Sequence, residues 1–153
     1  MRELNRQEQI VMVLGAALMV LGIACVIFCA PLFGETETMA MAVKAGTVGF
    51  SIGAFLFALI QMSQTYSGTD FVVKRLRRMM IIADICFILA ALLLIENTFH
   101  IIYPLFATSI DGYNAYVHYI YNNWVIALLI AAILEMYSTH RIAHRLSHQN
   151  SPS

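Results

Sequence analysis

Four long apolar stretches constrain this chain more than any other feature, because a run of that length without charge folds only where it is kept from water. No charged residue occurs between Glu8 and Glu35 or between Lys44 and Asp70. The stretches 79–103 and 119–138 hold only Asp84 and Glu96 in the first and Glu135 in the second. A helix rises 1.5 Å per residue, so about 20 apolar residues cross the roughly 30 Å of hydrocarbon in a bilayer. Each stretch meets that length. Within 153 residues, four spans leave no room for a separate soluble domain, and the expectation is one all-α domain over 1–153, a four-helix transmembrane bundle with spans of about 9–33, 42–64, 79–104 and 118–139.

Charge placement predicts the orientation. Arg2 and Arg6 precede the first span, Lys74, Arg75, Arg77 and Arg78 lie between the second and third, and Arg141 and Arg145 follow the fourth. The loops 32–42 and 105–118 contain neither Lys nor Arg. Since short loops rich in Lys and Arg stay cytoplasmic, both termini are expected inside and the loops around Thr36 and Tyr113 outside. The first span is too long for a signal-peptide core and no A-x-A-like site follows it. The set Lys74, Arg75, Arg77 and Arg78 is expected to lie among anionic lipid head groups, and it is too short and too near the bilayer to argue for nucleic acid.

The halves parallel one another: Ala30-Pro31-Leu32-Phe33 closes the first span and Tyr103-Pro104-Leu105-Phe106 the third. Met62 and Met136 close the second and fourth after Gln61 and Glu135. A tandem duplicated helical hairpin accounts for this, and chance alignment of apolar sequence is its rival. Pro31 and Pro104 are expected to end their helices. Small residues at spacings of three and four mark packing seams: Gly15, Gly22, Cys25 and Cys29 in span one, and Gly46, Gly49 and Gly53 in span two. Lipid gives helices no hydrophobic reason to associate, so close backbone approach supplies the contacts. Asp84, Ala91 and Thr98 form the corresponding stripe in span three, and Ala127, Ala131 and Glu135 in span four.

Two polar groups lie within the apolar region. Asp84 is six residues after Arg78 and Glu135 six before Arg141, so the acids are expected at one depth, roughly 9 Å beneath the basic layer. Intramembrane acids are costly and often mark ion or proton paths, and two adjacent carboxylates share a proton. The bland alternative has each acid snorkelling or pairing with Arg77, Arg78 or Arg141. At the other end, Glu96, Asn97 and His100 are expected near Asn122, Asn123 and His118, either as a polar fastening between helices or as a relay, with Glu96 and His100 within hydrogen-bonding reach four residues apart. Haem ligation by His100 and His118 is disfavoured by the crowd of polar neighbours, and no cofactor is expected. Cys25 and Cys29 lack the C-x-x-C spacing of thiol oxidoreductases and read as packing residues. His140, His144 and His148 recur at helical spacing without a carboxylate or thiolate partner. That is a weak metal pattern, and a helix resting on head groups accounts for it. Tyr103, Tyr113, Tyr116, Tyr119, Tyr121 and Trp124 are read as an aromatic belt at the membrane interface.

With Lys74-Arg75-Leu76-Arg77-Arg78 before the third span, Asn123-Trp124-Val125 opening the fourth and Leu134-Glu135-Met136-Tyr137 closing it, the second half resembles small, uncharacterised four-span inner-membrane proteins of bacteria. The resemblance implies a bacterial inner membrane and carries no activity. The sequence thus predicts a non-enzymatic subunit or scaffold with a membrane-protein partner or a second copy of itself. A proton-coupled transporter or channel module using the intramembrane acids is the alternative, and a membrane redox protein the third reading.

Overall fold

The computed structural model describes residues 5–32, 37–64 and 70–149. Arg2, the expected loop at Thr36 and the segment containing Ser67 lie outside the described residues, as do the side chains of Pro31 and His148. The fold is all-α, and four of its apolar segments are long enough to cross a membrane. The helices are α1 (Arg6–Leu32), α2 (Glu37–Ser63), α3 (Phe71–Phe99), the single turn α4 (Tyr103–Phe106), α5 (Ile110–Tyr119) and α6 (Trp124–Gln149).

They form a helical bundle that packs in chain order: α1 lies on α2, α2 on α3, and α3 on α6. One continuous core runs through it, from Met19 and Val26 on α1 through Phe50 and Ala54 on α2 and Phe87, Ala90, Ala91 and Leu94 on α3 to Ala127 and Ala131 on α6. Large apolar side chains are displayed outward: Val13, Leu21 and Phe28 on α1, Leu59 on α2, Ile82 and Leu92 on α3, and Leu129 and Ile133 on α6 are all more than half or about half exposed. Such a surface is tolerated where the surrounding solvent is hydrocarbon.

The α1–α2 contact is made by glycine. A Cβ built on Gly53 would lie 2.6 Å from the Gly15 carbonyl oxygen and 2.7 Å from the Met19 nitrogen; one on Gly46 would lie 2.8 Å from the Gly22 oxygen, and one on Gly22 2.6 Å from the Gly46 oxygen. Gly15 faces Gly53 and Gly22 faces Gly46, two reciprocal pairs one heptad apart on antiparallel helices. Gly49 is different, because a Cβ there would meet nothing within 4 Å. This corrects the expectation that Gly49 packs against a neighbouring helix. At about 100° per residue, Gly46 and Gly53 align to within about 20°, whereas Gly49 is turned about 60° from Gly46 and leaves the line of contact.

The second half departs further from expectation. Helix α3 starts at Phe71, where the Asp70 side chain accepts a 2.8 Å hydrogen bond from the Val72 amide. That is an Asp N-cap. The basic residues therefore occupy the first turns of α3 instead of a loop. At its far end α3 stops at Phe99, with His100 as a left-handed cap at φ 53°. Pro104 does not end this helix but sits in the first turn of α4, where its missing amide hydrogen costs nothing. The segment read as a loop is largely helical: Ser109 caps α5, accepting from the Gly112 amide at 3.0 Å. A turn with Asn122 at φ 60° then separates α5 from α6.

Candidate functional site

Near the basic end of the bundle, α2, α3 and α6 bring polar side chains into an apolar interior. Asp84 is fully buried, and neither of its carboxylate oxygens has a hydrogen-bond partner. It shares a face of α3 with the core residues Phe87 and Ala91. Glu135 of α6 is close enough for the two acids to repel one another, and Arg77 to attract Asp84. Gln61, buried on α2, donates from Nε2 to Glu135 Oε1 at 2.6 Å, and Thr139 donates its hydroxyl to the same oxygen at 3.0 Å. The second Glu135 oxygen and the fully buried Ser138 hydroxyl are unpartnered.

Arg77 was expected among lipid head groups with Lys74, Arg75 and Arg78. Those three are exposed, but Arg77 is buried. Its guanidinium donates to the main-chain oxygens of Gln61 and of Gln64, the latter at 2.7 Å, and lies 3.9 Å from Met80 Sδ. The last carbonyls of a helix lack intrahelical donors, and a cation there satisfies them and meets the negative end of the helix dipole. Arg77 thus caps α2 from α3 and holds a positive charge beside the acid pair. Asp84 therefore neither snorkels nor forms a hydrogen-bonded pair with an arginine. The two acids interact, as their matched six-residue spacings lead one to expect, and Arg77, one of the arginines named beside them, attracts Asp84 without bonding to it; sequence reading missed Gln61 and Ser138. The only signal for Gln61 was an amide one helical turn inside the end of a mostly apolar span.

At the opposite end, Glu96 is buried and accepts three hydrogen bonds: from the Ile102 amide at 2.9 Å, the Tyr103 amide at 3.1 Å and the Tyr116 hydroxyl at 3.0 Å. It thereby fixes the turn from α3 into α4 and ties α5 to both. The expected Glu96–His100 side-chain bond is not formed, because the left-handed cap carries the His100 side chain past the helix end, where it meets the Tyr103 ring at 5.9 Å. Asn97 accepts from the Asn122 amide at 3.4 Å, and Asn123 donates to the His118 carbonyl at 2.9 Å. Trp124, assigned to an interfacial belt, is instead a core residue 9% exposed, with its indole nitrogen unpartnered. Between α2 and α3 the Thr47 and Thr98 hydroxyls share a 2.9 Å hydrogen bond.

The three cysteines are free thiols; Cys25 lies 3.7 Å from Cys29 and donates to the Ala42 carbonyl at 3.3 Å, inside the α1–α2 seam. His140 and His144 lie exposed on α6. Among the described residues no group of three His, Cys, Asp or Glu side chains is arranged to hold a metal ion. No protein-family model, curated protein or solved structure matches the chain.

Proposed function

We propose that this chain is a proton-handling membrane module in which Asp84 and Glu135 share an exchangeable proton. One observation carries the reading: Asp84 is completely buried with neither oxygen hydrogen-bonded, and a second acid with one free oxygen, Glu135, lies close enough to repel it. A fixed structural carboxylate is normally satisfied by donors, as Glu96 is here by three. An acid without fixed donors and near a second acid is suited to taking up and giving up a proton as its surroundings change. Arg77, anchored by two carbonyls, offsets one of the two negative charges that the pair carries when fully ionised.

The test is proton flux into liposomes holding the purified protein, read with a trapped pH-sensitive dye under an imposed gradient. Wild type should acidify the lumen faster than empty liposomes. Asp84→Asn should abolish the difference while the helical circular dichroism stays unchanged. Equal rates for wild type and Asp84→Asn would defeat the proposal.

A second reading, the non-enzymatic subunit or scaffold of a membrane complex, draws support from the packing order, in which α1 and α6 are the flanks of a row and each leaves broad apolar surface outward. It predicts a stoichiometric partner after purification in mild detergent. Either role fits a bacterial inner membrane with both termini cytoplasmic. The support is the collection of Arg6, Lys74, Arg75, Arg78, Arg141 and Arg145 at one end. A cysteine at Asn114 should react with an impermeant maleimide in intact cells and one at Ser67 should not; the reverse pattern would invert the topology.

A further inference from the structure

The end of the bundle opposite Lys74, Arg75, Arg78, Arg141 and Arg145 holds an open cleft of about 480 Å³, lined by His100, Tyr103, Tyr113, Tyr116, Val117 and Tyr121. We propose that this cleft binds an organic ammonium ion. Five of its six lining side chains are aromatic rings. Neighbouring rings meet at steep angles: Tyr103 and Tyr113 at 80° with centroids 6.5 Å apart, Tyr103 and Tyr116 at 70° and 5.3 Å, His100 and Tyr103 at 89° and 5.9 Å. Edge-to-face contact is the usual way aromatic rings pack, and here the rings so joined border an open cleft and do not close over it. An aromatic box is the arrangement that recognises a quaternary or alkylated ammonium through the negative faces of its rings.

Charge selects a cation over a neutral guest of the same size. The buried Glu96 carboxylate stands directly behind the Tyr116 hydroxyl, and all three of its donors are uncharged groups, so its negative charge has no cation among them. Its bond with Tyr116 also fixes the ring that forms the floor, which is only 2% exposed. Residues 100–123 include Asp111 and neither Lys nor Arg. The rim is accessible: Tyr113 and Tyr121 are 47% and 42% exposed. The volume lies in the range of small-molecule sites and exceeds what a single trimethylammonium group fills. An interfacial belt, the plainer account of tyrosines at this level, requires neither the cleft nor the buried acid beneath it.

The shared chemistry, an alkylated ammonium, comes either from a soluble organic cation or from a choline lipid head group. Titration calorimetry of the full chain in a maltoside detergent free of lipid, with benzyltrimethylammonium as the probe and benzyl alcohol as its uncharged counterpart, tests the site. The ammonium should bind saturably and the alcohol should not. Tyr113→Leu and Tyr121→Leu keep an apolar side chain at accessible positions, so the fold persists; each should weaken the ammonium by about twofold to thirtyfold, the span of one cation–π contact. Comparable heats from both probes, no saturable binding of the ammonium, or unchanged affinity in both variants would overturn the proposal. Repeating the titration in nanodiscs separates the sources: weakening in phosphatidylcholine relative to phosphatidylglycerol assigns the cleft to the lipid head group, and equal affinity assigns it to a soluble cation.

Discussion

Replacing Gly53 by alanine tests the packing account most directly, since Gly49 on the same helix serves as an internal control. The new methyl at Gly53 would lie 2.6 Å from the Gly15 oxygen, 2.7 Å from the Met19 nitrogen and 3.0 Å from the Leu18 Cβ. Two of these are backbone atoms, which cannot rotate away. Ordinary contacts involving carbon fall near 3.5 to 4.0 Å, so α1 must withdraw from α2 by roughly 1 Å. A gap of that size forfeits about a quarter to a half of each affected dispersion contact along the seam. Overfilling a close contact costs about 1–3 kcal/mol, against which alanine's better helix propensity returns up to about 1 kcal/mol. With the full propensity gain realised, the net expectation for Gly53→Ala is a loss of about 0–2 kcal/mol. For Gly49→Ala, with open space around the methyl, it is no loss or a gain of about 0.5–1 kcal/mol. Reversible unfolding in mixed micelles, monitored by circular dichroism, measures both. Equal effects of the two substitutions, or a stabilised Gly53→Ala, would refute a seam built on reciprocal glycine pairs.

Three further outcomes follow from the hydrogen bonds. Tyr116→Phe removes one of the three donors to Glu96 and should lower stability by about 1.5–3 kcal/mol, the range for a bond to a charged group; a thermal midpoint equal to wild type would contradict that role. Arg77→Met should destabilise α2 at its C-terminal end and increase amide hydrogen exchange around Ile60 to Ser63, whereas Arg78→Met, at an exposed position, should leave exchange there unchanged. A double-mutant cycle between Thr47→Val and Thr98→Val should return a coupling of about 0.6 kcal/mol, the average for hydrogen bonds between membrane helices; zero coupling would show that the bond does not contribute.

Much of this architecture was legible in the sequence because the membrane simplifies the problem. A charge-free run must be a helix, and the number and order of spans follow from composition alone. The matched spacing of Asp84 and Glu135 from flanking arginines was legible for the same reason: depth along a straight helix is a count of residues. What failed depended on rotation or on local turn chemistry. Gly46, Gly49 and Gly53 are indistinguishable as small residues at spacings of three and four, and only the direction of the partner helix decides that Gly49 looks away. Pro104 marks either the end of one helix or the first turn of the next, and the left-handed His100 cap that settles this leaves no sequence signature. Arg77 sits among three other basic residues, and its burial follows from Leu76, Met80 and Asp84 sharing its side of α3.

The packing order of the helices also has a consequence for how the protein is made. Sequence neighbours α1 and α2 pack directly on one another, so the glycine hairpin needs no later helix for its contacts, and α3 packs on α2 in turn. Until α6 is delivered, Asp84 is presented on an uncovered helix face and Gln61 has no Glu135 to bind. Arrival of α6 is therefore the event that brings Glu135 and Gln61 together beside Asp84. A chain stopped short of Trp124 would lack Glu135 and leave Asp84 without the helix that packs on α3, the costly arrangement of an ionisable side chain turned to hydrocarbon.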